Sequence, residues 1–463
     1  MTSPKRTVDP RVGADLPGTA ARPGAARASL PAPWSERQAE AHLRSLELFG
    51  MRFGLDRMRR MMTVLGSPQQ RYGCIQVLGT NGKTSTTRMT AAILERHGLR
   101  TATYTSPHLI SYRERLQIGE QDLSGERFAE AIARAAWAAE RVNRTLAGED
   151  HVTQFELLTA AALWEIAEQD VQVAVIEAGL GGRYDATSVI DAKVTALTNV
   201  GLEHTRWLGP TVHDIAEEKL AVLAPGATLA LGEGLAADAL AVAERVACER
   251  NARILLAPRP ASSPTTSLAA KGRFQQRNFA LARLVAETYL RDVAIEPSER
   301  AIEQAAVATE VRGRLQIVAR DPLTVLDGAH NPDAVGALVE SLPGVLEGRP
   351  LALVLGVLED KDAVRMLEQL LCLCERVWVT APPSERALSP AALQSLARQL
   401  GFAEVLREPN ARQALSQAQD WARERGAAVL ATGSVYLVGD LLAAVETDRG
   451  AEDSAAPRRR ASI

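Results

Sequence analysis

The sequence predicts an α/β protein of two domains, each built on a mainly parallel sheet. Three observations predict it. Short apolar, β-branched runs alternate with longer segments of helical spacing, which is the rhythm of βαβ units. The rhythm breaks near residue 310 and then restarts. The first apolar run ends in a Gly-rich turn that opens a helix, as a strand feeding a ligand-binding loop does.

In chain order, residues 1 to about 33 are rich in Pro, Ala, Gly and Arg and are expected to be a disordered extension. Tyr72–Leu78 is an apolar run, and Thr84–His97 has helical spacing and stops at Gly98. Ala102–Thr105, Val171–Ile176 and Val194–Leu197 read as further strands. Thr211–Leu223 is helical and ends at Pro225-Gly226. A helix follows over Gln275–Leu290, and another begins at Pro297. Past Val311-Arg-Gly-Arg-Leu315 the strands resume at Thr324–Leu326, Leu351–Leu355, Val377–Val379 and Ala428–Ala431. The expected partition is 34–308 for the first domain, 309–447 for the second, and a disordered tail over 448–463. Each half is long enough for its own core.

Composition bounds the function. The chain has 463 residues, 46% of them hydrophobic but only 4% aromatic, so Ala, Leu and Val must fill the cores. A net charge of −3 supplies no attraction for nucleic acid or an anionic membrane. No apolar stretch reaches the roughly 18 residues of a membrane span, and no apolar signal core opens the chain. A cytoplasmic location is expected. Four cysteines form no disulfide framework, and the Cys372-x-Cys374 pair reads as packing. Of 53 Lys and Arg residues only six are lysines: 5, 83, 193, 219, 271 and 361. A chain so biased to Arg keeps lysine where a compact charge or a reactive amine is needed.

The chemistry starts at Val77-Leu-Gly-Thr-Asn-Gly-Lys-Thr-Ser-Thr86. Backbone N–H groups freed by Gly79 and Gly82 can face phosphate oxygens, Lys83 adds a point charge, and Thr84 or Ser85 can reach Mg²⁺ or phosphate. The commoner loop has Gly where Val77 sits, so this is the shorter Gly-Thr-Asn-Gly-Lys-Thr form. Glu177 ends an apolar strand and precedes a Gly-rich turn, the place for a Mg²⁺ ligand beside a phosphate loop. His204 closes the segment after another strand. Taken singly, Glu177 also reads as a helix cap and His204 as a satisfied loop residue.

These segments, with Ser106-Pro-His-Leu109, Phe155-Glu-Leu-Leu-Thr159, Gly313-Arg-Leu315, Asp327-Gly-Ala-His-Asn-Pro332, Gly356-Val-Leu-Glu-Asp-Lys361 and Gly433-Ser-Val-Tyr-Leu-Val438, occur in one order. The chain resembles the bifunctional folylpolyglutamate synthase/dihydrofolate synthase family of the Mur-ligase superfamily, from about Phe53 to Val438. The resemblance implies a P-loop ATPase domain with a mainly parallel sheet and a smaller, Rossmann-like α/β C-terminal domain. It implies ATP contacts from Asn81, Gly82, Lys83, Thr84, Ser85, Asn278, Arg314 and Asp327. Ser106, Glu177, His204 and Lys219, the last as a CO₂-derived carbamate, would ligate Mg²⁺, with two ions expected. Lys83, Lys219 and His330 would be the catalytic groups. The pteroate surface would comprise Phe53, Gly54, Leu55, Thr153, Gln154, Phe155, Glu156, Tyr184, Asp185 and Ala186. Ser188 stands where the family usually has Asn, Glu203 where many members have Asp, and Phe274-Gln275 where His-Gln is usual.

What the resemblance implies is ATP-dependent addition of L-glutamate to dihydropteroate and to the γ-carboxylate of tetrahydrofolates. Other readings fit less. A GTPase would need an Asn-Lys-x-Asp segment, and a small-molecule kinase would leave the second domain unexplained. A murein ligase would carry a further N-terminal domain. A binding protein without turnover would be expected to lack Lys83, Glu177, His204 or Lys219.

Overall fold

The computed structural model describes residues 33–46, 54–148, 150–260 and 267–455. Phe53, the extension up to residue 32 and the last part of the tail lie outside the described residues.

The first domain is one eight-stranded sheet: β1 (Gly73–Leu78), β2 (Thr101–Tyr104), β3 (Leu116–Ile118), β4 (Gln121–Asp122), β5 (Val173–Glu177), β6 (Ala192–Leu197), β7 (Thr228–Leu231) and β8 (Arg253–Leu256). Its order is β4-β3-β2-β5-β1-β6-β7-β8. Only the β2–β3–β4 edge is antiparallel. Every residue of β5 is buried, as expected for a parallel strand covered on both faces. Alternate side chains point to opposite faces. Val173 and Val175 meet helices Lys83–Arg96 and Arg273–Asp292. Ala174 and Ile176 meet a layer formed by helices Glu36–Ser45, Asp56–Val64, Gly125–Asn143 and Gln154–Glu168.

The second domain is a six-stranded sheet: β9 (Gln316–Arg320), β10 (Leu323–Leu326), β11 (Leu351–Leu355), β12 (Arg376–Val379), β13 (Val405–Arg407) and β14 (Ala428–Thr432), in the order β13-β12-β11-β14-β10-β9. The β9–β10 pair is antiparallel and the rest are parallel. Leu353 and Leu355 enter one core and Ala352 and Val354 the other.

The sequence reading omits β7, β8, β13 and the short antiparallel edges. Edge strands are half-exposed and weakly patterned: β8 is exposed at both ends, and two of the three residues of β13 are exposed. The reading also ends the second domain at 447, whereas helix Val435–Ala455 continues beyond it. No proline interrupts that segment before Pro457, and Ala and Glu favour helix. All four cysteines are free. No helix among the described residues is long and apolar enough to cross a membrane.

Candidate functional site

The loop after β1 forms the floor of the site. Gly79 has φ +138°, and a Cβ there would lie 1.9 Å from Thr198 Oγ1. Gly82 has φ +83°, and its Cβ would lie 2.4 Å from Asn278 Oδ1. Both positions therefore require glycine, for backbone conformation and for space. The loop is braced by the turn after β6. Thr198 Oγ1 donates to the Asn81 carbonyl at 2.7 Å, and Asn81 N–H donates to Asn199 Oδ1 at 2.9 Å. Lys83 Nζ donates to the carbonyls of Gly79 and Thr80 at 3.1 and 3.0 Å. Ser85 is buried on the first turn of the helix, and Asn278 Nδ2 donates to Gln275 Oε1 at 3.0 Å.

Glu177, at the end of β5, is the hub. Thr84 Oγ1 donates to it at 2.9 Å, and Ser106 N–H, just after β2, donates at 3.2 Å. Burial pushes the Glu177 carboxyl up, and the Lys83 ammonium, the Thr84 hydroxyl and the Ser106 N–H act against that. No side-chain cation hydrogen-bonds to Glu177 among the described residues.

Lys219 lies on helix Val212–Leu220, 2% exposed, and donates to the Leu180 carbonyl at 2.9 Å. The Gly-rich loop after β5 presses onto this helix: a Cβ on Gly182 would fall 2.3 Å from the Glu218 carbonyl. Burial, reinforced by the Lys83 charge, pushes the Lys219 amine down to about 7. Burial likewise lowers His204 to about 4, so its ring is neutral and able to ligate. No hydrogen bond joins His204 or Lys219 to Glu177. Among the described residues, no three His, Cys, Asp or Glu side chains gather as a ready metal cluster.

The second domain meets these loops with its own strand ends. Asp327, after β10, accepts from Leu315 N–H and Ala329 N–H, both at 2.8 Å, and so ties two loops together. Arg314 packs over Gly328, where a Cβ would lie 2.1 Å from Arg314 Nη1. Asn331 caps helix Pro332–Ser341 and exchanges hydrogen bonds with Asn81, at 3.2 and 3.0 Å. Glu203 Oε1 accepts from Lys361 Nζ at 2.9 Å and lies 3.3 Å from His330 Nε2, while His330 Nδ1 is 2.8 Å from the Gly328 carbonyl. Burial alone would raise Glu203, but the hydrogen bond and charge of His330, with Lys361, hold it far below the usual carboxylate range.

The residues expected on the pteroate surface divide in two. Phe155 is half-buried, with its ring 6.5 Å from that of Tyr104, and Tyr184 is 46% exposed, so both offer aromatic surface. Gly54 and Leu55 precede helix Asp56–Val64 and are half-buried. The side chains of Gln154, Glu156 and Asp185 are engaged within the fold. Gln154 Nε2 donates to the Leu43 carbonyl at 2.7 Å. Glu156 forms a capping box with Thr153 and an ion pair with Arg57 at 3.0 Å. Asp185 accepts from Gly181 N–H and Thr187 N–H, both at 3.0 Å, and Ala186 is buried. These residues shape the surface from behind.

Sequence reasoning assigned no role to Thr198, Asn199, Arg88, Glu114 or the Glu203–Lys361 pair. Lys361 left a signal as one of six lysines, and Glu203 as a family position held by Asp in many members. Thr198 and Asn199 act through contacts distant in sequence, and Glu114 through a local capping box.

Comparison with known proteins agrees with this geometry. Residues 77–226 match the Mur ligase middle domain, and residues 313–435 match the Mur ligase glutamate ligase domain. The chain is 33% identical over 363 residues to a folylpolyglutamate synthase of Lacticaseibacillus casei, covering 73% of this chain and 84% of the relative. It is 29% identical over 435 residues to a dihydrofolate synthase/folylpolyglutamate synthase of Escherichia coli, covering 91% and 97%. A Mycobacterium tuberculosis folylpolyglutamate synthase solved with ADP superposes with a TM-score of 0.82 at 28% identity, covering 89% and 98%.

Proposed function

The chain belongs to the folylpolyglutamate synthase/dihydrofolate synthase family of Mur ligases, and we propose that it joins L-glutamate to dihydropteroate and to the γ-carboxylate of tetrahydrofolates at the expense of ATP. The observation that carries this reading is the Thr84–Glu177–Ser106 hub on a braced phosphate loop, closed over by the second domain through Asn331, His330 and Lys361.

A carboxylate does not react with an amine at neutral pH until it is activated. A carboxylate oxygen of the acceptor attacks the γ-phosphorus of ATP, the bond to ADP breaks, and an acyl phosphate forms. The glutamate α-amine then attacks the acyl carbon, phosphate leaves, and the amine loses a proton. Lys83 and the N–H groups of Asn81, Gly82, Thr84 and Ser85 bind the triphosphate. Asn278 flanks the loop, and Arg314 and Asp327 complete the nucleotide site from the second domain. His330 enters the site with domain closure as a catalytic group.

The donor set suits Mg²⁺: a buried carboxylate with no cation hydrogen-bonded to it, two hydroxyls and a neutral imidazole. Glu177, Thr84, Ser106 and His204 would hold it, and when bound it would offset charge on the transferring phosphoryl group. Lys219 fits carbamylation, because a buried amine lowered to about 7 is about half neutral at pH 7, and the neutral amine is the form that adds CO₂. The carbamate would hold a second ion. Acceptors bind at Gly54, Leu55, Phe155 and Tyr184, above the frame made by Thr153, Gln154, Glu156, Asp185 and Ala186. A cytoplasmic location fits the free cysteines and the ATP requirement, and the family resemblance implies a monomer acting on small molecules.

The test is ADP release with dihydropteroate plus glutamate, and separately with tetrahydrofolate plus glutamate, beside Lys83→Ala. Turnover with both acceptors, lost in the variant, is expected. Turnover with tetrahydrofolate alone would remove the dihydropteroate half of the reading. Silence with both, in protein that binds ATP, would refute it.

A further inference from the structure

Among the described residues three arginines, Arg88, Arg134 and Arg376, have an Nε sealed from solvent without a hydrogen-bond partner, and of these Arg88 lines a cleft beside the phosphate loop. Arg88 lies on helix Lys83–Arg96 and is mostly buried. A buried guanidinium without a hydrogen-bonded anion is costly and calls for an explanation. Burial lowers its affinity for the proton, while Asp122, Glu114 and Glu177 oppose that only through their charge.

Arg88 lines a cleft between the two domains, together with Thr84, His108, Glu114, Arg312 and Arg314. Three guanidinium groups face this space against one carboxylate. That carboxylate is already engaged: Glu114 accepts from the N–H groups of Leu109, Ile110 and Ser111 at 2.9–3.0 Å. Arg312 comes no closer than 3.8 Å to Glu114, and its other contact is Glu446. With Glu446 counted beside Glu114, three guanidiniums stand against two carboxylates, and the cleft keeps a net positive charge.

On the proposed function the triphosphate takes Arg314 but does not account for Arg88. It is bound at the start of the helix, and Arg88 sits five residues further on, about 7.5 Å along the axis. Yet Thr84, which touches Glu177, lines the same cleft. A ligand held there lies beside the place where the acyl phosphate forms.

We propose that Arg88 and Arg312 clamp the carboxylates of the incoming glutamate and so orient its α-amine toward the acyl phosphate. This rests on the proposed function. Arg88 comes from the first domain and Arg312 from the link to the second, so the amino-acid site is complete only when the domains are together. The clamp also supplies specificity: an amino acid with a neutral side chain leaves a buried guanidinium without its anion.

The experiment is steady-state kinetics of Arg88→Gln and Arg312→Gln, with thermal melting to confirm that each is folded. The glutamate KM is expected to rise about 10- to 100-fold, the range for a lost charge-assisted hydrogen bond. The KM values for ATP and tetrahydrofolate should stay within about threefold. The preference for glutamate over glutamine should narrow in the same proportion. Hydroxylamine supplies a second readout. Its nitrogen bonds to the acyl carbon as phosphate leaves, giving a hydroxamate without glutamate. Capture by hydroxylamine should fall far less than glutamate turnover. A folded Arg88→Gln with an unchanged glutamate KM, or with the loss confined to ATP, overturns the clamp and leaves the ligase reading intact. If the wild-type protein turns over neither acceptor but binds L-glutamate by calorimetry, and Arg88→Gln abolishes that binding, the clamp survives and the proposed reaction falls. If the wild type neither turns over nor binds glutamate, both fall.

Discussion

Lys219 shows how much one residue's surroundings decide. Its amine is buried, has one carbonyl acceptor, and is lowered to about 7. A guanidinium cannot add CO₂. Lys219→Arg therefore keeps positive charge but is expected to lose at least about tenfold in turnover. The ¹³C-bicarbonate NMR signal of a carbamate, expected in the wild type, should be absent in the variant. A bare amine in the wild type under saturating CO₂ would count against the assignment. His108 makes a pH argument at the same scale. Its Nδ1 accepts from Arg115 Nε at 3.1 Å, which requires a neutral ring, and burial with the Arg115 charge pushes it down to about 3. The unfolded ring takes a proton as pH falls below about 6.5, and the folded ring does not. Stability from this residue is thus complete above that pH and declines toward the folded value. By pH 5 the loss is about 1–2 kcal/mol. His108→Gln should show a smaller drop in melting temperature between pH 7 and pH 5 than the wild type.

At the scale of elements, helix Gln154–Glu168 carries Phe155, the aromatic wall of the proposed acceptor site. Its start is held by the Thr153–Glu156 capping box and by Arg57, reaching across from helix Asp56–Val64. Arg57 and Glu156 have side chains only 7% and 8% exposed. Removing one partner leaves the other charge buried, at a cost of about 3–5 kcal/mol. Arg57→Met should lower the unfolding midpoint accordingly, and should raise the KM for dihydropteroate because the start of the helix shifts. A chemical-denaturation curve and acceptor kinetics check both. Equal stability would mean that the pair is solvated in practice.

For the whole molecule, the decisive feature is that the strand ends of two sheets meet. Asn81–Asn331 and Glu203–Lys361 are the joints. The side chains of Lys361 and Glu203 are 11% and 10% exposed, so the pair is shielded from screening solvent. Lys361→Met is expected to loosen the contact between domains. The radius of gyration from solution scattering should increase, and kcat should fall about tenfold or more while the ATP KM changes little. Unchanged scattering and turnover would mean that the other joints suffice.

Much of this was legible in the chain. The phosphate loop, the β1, β5 and β6 strands and the restart after Leu315 are local patterns, because β-branched runs and Gly-rich turns are set by near neighbours. Glu177 stood out at the end of its strand and Lys219 as one of six lysines, while Asp327 was named through the family resemblance. The edge strands were not legible, since half-exposed strands lack a hydrophobic pattern. The contacts of Gln154 with Leu43 and of Glu156 with Arg57 were not legible either, because those partners are about 100 residues away and are brought together by packing. What the sequence by itself determined is the chemistry: a phosphate loop, a carboxylate, a rare buried lysine and the family they mark. What only the tertiary structure decided is which charges remain unanswered. Arg88 is one arginine among many in the sequence. It becomes informative only once the fold seals its Nε from solvent without a hydrogen-bond partner and turns it into a cleft.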